Sequence, residues 1–245
     1  MTPKRLLADM EENMQNVTSS ANHVEVAIQM EDVLDIRNVN MALDLENTTQ
    51  PPAGYAKGTA KVKIKNAQVS ADLEIYQVQE DGKAVTYSRT NDSWVKETTG
   101  DSSESHLGVD GDIFRQEGKA MESFHLAKKT VKEDGKECYQ MYGDVTGTEL
   151  MGILGKDMVN AFHLVELPDG DAIRELKIPV IFEIYKDEML PARILVDMSD
   201  VLNELYESYG ETSKVNLYSI DLKFTDFDQV DAIEVPEEVK EAAGE

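Results

Sequence analysis

A chain of 245 residues with 24 basic and 48 acidic side chains has a formal charge of −24. That field repels phosphate backbones and anionic lipid surfaces, so nucleic acid is excluded as a partner and a monomer is expected. The hydrophobic fraction of 41% supplies a core, and the single cysteine, Cys138, rules out an intramolecular disulfide.

Thr2-Pro3 opens a helix, with Thr as N-cap and Pro at the first helical position. Leu6, Leu7, Met10, Met14 and Val17 carry it at helical spacing to about Ser19. From His23 the period changes to two. Val24, Val26, Ile28 and Met30 alternate with polar or small residues, and so do Val39, Met41, Leu43 and Leu45. Each run reads as a half-buried strand.

Asn47 to Gly58, with Thr-Thr, Pro51-Pro52 and Gly54, reads as a loop. Strands follow near Thr59–Lys65 and Val69–Val78, then Val85–Arg89 after the Asp81-Gly82 turn, then a short one at Trp94-Val95. Gly108 to Ala120 carries at most a short helix around Ile113. Phe124–Val131 and Glu137–Val145 flank Glu133-Asp134-Gly135-Lys136, a hairpin signal.

Thr146 and Glu149 form a capping box before a short helix with Leu150, Ile153 and Leu154 on its apolar side. After a loop ending at Asp169-Gly170, Leu176, Ile178, Val180, Phe182 and Ile184 share one strand face. Lys186-Asp187-Glu188 returns the chain into Leu190, Ala192, Ile194, Val196 and Met198. Ser199 is read as the cap of a helix bearing Leu202, Leu205 and Tyr206. A last strand carries Tyr218, Ile220, Leu222 and Phe224, and an acidic tail, helical or frayed, follows over residues 236–245. The plan is α+β: a strongly curved antiparallel sheet with helices gathered on one face, in a single domain over residues 1–245.

No chemistry-bearing constellation emerges. His23, His106, His125 and His163 lack metal-ligand spacing, and neither a Gly-x-Ser-x-Gly elbow nor a phosphate loop is present. Asp110-Gly-Asp112 and Asp169-Gly-Asp171 fail the calcium-loop spacing. The reading therefore assigns no catalytic residue, no metal ligand and no cofactor. Cys138 is expected on a buried or half-buried strand. Trp94, Tyr76 and Tyr87 are either core-edge aromatics or a stacking platform.

Several short segments resemble the LolA/LppX-like lipoproteins. They are the opening amphipathic helix, Ser93-Trp-Val-Lys96, Asp134-Gly-Lys-Glu-Cys-Tyr139, Tyr185-Lys-Asp-Glu-Met-Leu-Pro191, and the close from Phe227-Asp228 to Ile233-Glu-Val-Pro-Glu-Glu-Val239. The likeness is strongest to surface lipoproteins of Gram-positive, clostridia-like bacteria. It implies an unclosed β-barrel with helices covering the concave face. It also implies an extracellular protein held to the membrane only by a lipid anchor, on a cysteine upstream of Met1.

An open barrel cannot fill its concave face with its own strands. A groove between sheet and helices is therefore expected to hold a lipid or other hydrophobic small molecule, with Phe182, Ile194 and Phe224 in its lining. The alternative is a ligand-free structural or interaction protein of the cell envelope, whose acidic surface meets a basic partner. A hydrolase would require titratable groups converging in a cleft.

Overall fold

The computed structural model describes residues 1–32, 35–101, 120–154 and 176–244. Helix α1 (Pro3–Met14) begins as its sequence dictates: Arg5 N donates to Thr2 Oγ1 at 3.3 Å, and Pro3 occupies the first turn. It ends earlier than the spacing suggests, at Met14, although Val17 still packs against the core. Six strands then run as a meander: β1 (Ser19–Asp32), β2 (Asp35–Thr49), β3 (Pro52–Ile64), β4 (Ala67–Glu80), β5 (Lys83–Thr90) and β6 (Ser93–Asp101).

The second half holds β7 (His125–Leu126), β8 (Val131–Glu133) and β9 (Lys136–Thr146), then helix α2 (Gly147–Leu154). Next come β10 (Lys177–Tyr185), β11 (Pro191–Asp197), helix α3 (Ser199–Ser208), β12 (Lys214–Phe227) and helix α4 (Glu237–Ala242). The short helix read around Ile113, the Asp169-Gly170 loop and both calcium-like fragments lie outside the described residues.

All twelve strands join one antiparallel sheet in the order β6-β5-β4-β3-β2-β1-β12-β11-β10-β9-β7, with β8 also on β9. The first and last strands therefore pair at the centre, over a register running from Ser20↔Phe227 to Glu31↔Lys214. Asp228 clamps the end of this seam. Its carboxylate accepts from Thr18 N at 2.7 Å and Thr18 Oγ1 at 2.8 Å, and its own N–H donates to Ser19 O. The sheet is not closed: β6 and β7 lie at opposite ends of the path. The expected α+β unclosed barrel is the observed architecture.

Alternation along the strands decides which face is buried. Val24, Leu43, Ala56 and Ile75 share one face on β1 to β4, and Leu222, Ile194 and Phe182 continue that face through β12, β11 and β10. All seven are buried in the main core. Helices α1, α2 and α3 cover this concave face with Leu6, Met10, Leu150, Ile153, Leu202 and Tyr206.

Side chains pin two of those helices. Thr146 N donates to Glu149 Oε2 at 2.7 Å and Glu149 N donates to Thr146 Oγ1 at 3.3 Å, the reciprocal capping box expected at α2. Asn203 on α3 imitates a strand residue: it donates to Val215 O and accepts from Val215 N, both at 2.8 Å.

Two local expectations are corrected. Residues 47–58 are not a loop; β2 runs to Thr49, a turn follows at Gln50-Pro51, and β3 starts at Pro52. Proline is compatible with a strand's first residue, and Gly58 serves close packing rather than turning. A Cβ on Gly58 would lie 2.0 Å from Ala42 O. Ser199 does not cap α3, because its hydroxyl donates to Asp197 Oδ1 at 2.6 Å and accepts from Tyr218 N at 2.9 Å. Of the helix and the frayed end open to the acidic tail, the helix forms, as α4, on the convex side. Val235 and Val239 pack on Val85 and Tyr87, whose register parity places them on the convex face.

Candidate functional site

The three lining residues expected from the sequence are brought together. Phe182 on β10 lies directly opposite Ile194 on β11, and Ile194 lies opposite Leu222, two positions before Phe224 on β12. All three face the helices, and each has 0% exposure. Around them Met141, Val180, Val196 and Ile220 extend an apolar floor that is continuous with the apolar faces of α1, α2 and α3. The sequence places these residue types here because β10, β11 and β12 alternate strictly over their central portions. Such a floor offers contact area to an alkyl chain and no donor or acceptor to a reacting group.

Hollows lined by described residues include two that lie away from this floor. One, of about 560 Å³, lies between Pro51, Pro52 and Val78 on one side and Ile233, Val235 and Pro236 on the other. The second, of about 320 Å³, is bounded by His125, Asp144, Thr146, Glu149 and Lys177.

The convex face is polar and ordered by register. One row of directly opposed residues runs from Glu183 through Arg193, Lys223, His23, Asp44, Lys57 and Glu74 to Arg89. Opposite charges face each other at most steps, which penalises a slip of register. Where Arg193 and Lys223 meet, carboxylates intervene. Asp221 accepts two bonds from Arg193, at 2.7 and 2.6 Å, and Glu133 lies 3.8 Å from Arg193 and 3.6 Å from Lys223. For His23 burial alone would lower the pKa, but hydrogen bonds to Asp44 at 2.6 Å and Glu25 at 3.3 Å raise it above the ordinary imidazole value.

Glu183 is the exception in this row. It is 4% exposed, and its Oε1 accepts from Gln140 Nε2 at 2.8 Å while its Oε2 has no hydrogen-bond partner among the described residues. Burial pushes its carboxyl above the ordinary range, and nearby Glu133 and Asp221 add to the push against the opposing influence of Gln140 and Arg193. A raised carboxyl takes up a proton on folding, so its contribution to stability falls as pH rises from the ordinary carboxylate value through the raised one. Glu183→Gln is therefore expected to gain stability over the parent at pH 8 and little or none at pH 4. Urea denaturation at the two pH values measures this, and an equal difference at both would reject the assignment.

The remaining candidates are structural. Cys138 is buried, and burial pushes its thiol up to about 11, so little reactive thiolate exists at neutral pH. Tyr87 is buried beneath α4, and Tyr76 and Trp94, with ring centroids 6.0 Å apart, pack at the edge of the same cluster. His125 lies beside the Tyr142 ring, and His106 and His163 fall outside the described residues. Among the described residues no group of three or more His, Cys, Asp or Glu is placed to hold a metal ion, and no helix is long and apolar enough to cross a membrane.

An unclosed antiparallel barrel with helices over its concave face is also the fold of LprF from Mycobacterium bovis. That crystal structure superposes with a TM-score of 0.52 at 14% identity, covering 96% of this chain and 96% of that chain. The lipoprotein LppX from Mycobacterium tuberculosis gives a TM-score of 0.47 at 16% identity over 94% of this chain and 99% of that chain. Residues 2–244 match the family described as "Family of unknown function (DUF6612)", and the chain belongs to that family. No curated protein matches the chain in sequence.

Proposed function

We propose that this chain is a non-catalytic, lipid-anchored cell-surface protein of the Gram-positive, clostridia-like type. It holds a lipid or other hydrophobic molecule between its sheet and its helices. The observation that carries the reading is the uninterrupted apolar layer between the concave face and three helices that arise from separate points in the chain. Helices placed in this way can shift outward without breaking strand pairing. An alkyl chain would then lie on Phe182, Ile194 and Phe224.

The second reading, a ligand-free interaction protein of the cell envelope, draws support from the zero exposure of those three residues. One experiment separates the two. The full chain is titrated with a fluorescent fatty acid, and the purified protein is extracted for mass spectrometry. Saturable uptake or a stoichiometric co-purified lipid is the expected result; neither signal, from folded protein, would remove the ligand proposal.

A further inference from the structure

We propose that the tip of the β3–β4 hairpin docks on an anionic membrane surface. Residues 47–71 contain four lysines and no Asp or Glu, in a chain where 48 of 245 residues are acidic. Lys61, Lys63 and Lys65 stand together at the end of β3, all exposed and none paired with a carboxylate among the described residues. The hairpin also projects beyond β5. β5 ends with Thr90 opposite Leu73, and Asn91 closes onto Asp72, so Ala67–Ala71 of β4 have a partner strand on one side only among the described residues.

Apolar side chains crown the same tip. Val69 is 66% exposed, Ile64 39% and Ile36 53%, and Ile36 sits beside Lys65, whose N–H donates to its carbonyl at 3.2 Å. Lysines flanking exposed β-branched residues form an interfacial pattern: the aliphatic side chains enter the headgroup layer while the ammonium groups reach phosphate. A soluble polyanion would use the lysines but leave Ile64 and Val69 in water. Along the ladder the adjacent acidic positions are Asp72 at the hairpin's base, Glu31 across from Ile36, and the Asp32–Asp35 pair that ends the β1–β2 ladder beside it.

The rest of the molecule repels such a surface, and salt decides the balance. At an ionic strength of about 0.15 M the Debye length is ~8 Å, so the membrane senses the tip and little of the acidic body. At about 0.01 M the length is ~30 Å and the whole negative chain is sensed. Binding should therefore pass through a maximum with salt, unlike that of a simple basic protein.

The test is sedimentation of the full chain with vesicles of phosphatidylcholine alone or with about 30% phosphatidylglycerol, across a salt series. Binding is expected only to the anionic vesicles, with its maximum at intermediate salt. Lys61→Gln with Lys63→Gln and Lys65→Gln should lower partitioning on the order of 100-fold, and Ile64→Ser with Val69→Ser by about tenfold. All five side chains are at least partly exposed, so circular dichroism should show intact folding. Equal binding by the lysine variant, binding to neutral vesicles alone, or loss of binding that the apolar pair does not affect would each overturn the proposal. Fatty-acid uptake should survive in both variants, which keeps this surface distinguishable from the ligand site.

Discussion

Phe182→Ala is expected to destabilise the protein by about 3–5 kcal/mol, the range for emptying an aromatic site in a close-packed core. Phe182 has no exposed surface, and it sits between Met141 on β9 and Ile194 on β11 at the middle of the sheet's second half. Its neighbours are held by backbone ladders on both sides, so they cannot collapse into the space. Chemical denaturation of the ligand-free protein gives the number directly. A loss below about 1 kcal/mol would mean that the ring already faces free volume. The same variant then tests the ligand reading from the other side, because a larger cavity should retain or increase fatty-acid uptake even as the fold weakens.

Gly58→Ala is expected to cost about 3 kcal/mol for the opposite reason, overpacking. The added Cβ would stand 2.0 Å from Ala42 O and 2.8 Å from Leu43 Cα. Both are backbone atoms of β2, so no rotamer change relieves the contact, and β2 and β3 must separate. Gly82 is a useful contrast. It has φ +75 and nothing within 4 Å of an added Cβ, so Gly82→Ala carries only the left-handed backbone penalty of about 1–2 kcal/mol. Thermal or urea denaturation of the two variants ranks them; a milder effect at Gly58 would show that the two strands can part at little cost.

Much of this architecture was legible because one face of nearly every strand is buried. Val24 to Ile28, Met41 to Leu45 and Tyr218 to Phe224 alternate as they do only when a sheet has a dry side and a wet side. Asp134-Gly135 and Asp81-Gly82 announced their turns, and all four residues have the positive φ that a tight hairpin needs. The β2–β3 turn misled because Pro51-Pro52, Gly54 and Gly58 look like punctuation when strand pairing cannot be seen. Their actual work, starting a strand and letting two backbones approach, depends on a neighbour distant from any local window. The docking place of helix α4 was obscured for the same reason: Val235 and Val239 gain meaning only beside Val85 and Tyr87, roughly 150 residues earlier along the chain. Phe182, Ile194 and Phe224 were placed on a common face correctly, since their parity on three strands settles that much. Alternation carries no information on how closely helices press on that face.

The central pairing of β1 with β12 also shapes how such a chain must be made. Six strands can zip together as nearest neighbours while synthesis continues, yet one long border of β1 stays without its permanent partner until Lys214–Phe227 emerges. For that interval a newly made chain presents an adhesive edge lined with Val24, Val26 and Ile28. Its surplus of negative charge then gains a second use, keeping unfinished molecules from joining edge to edge.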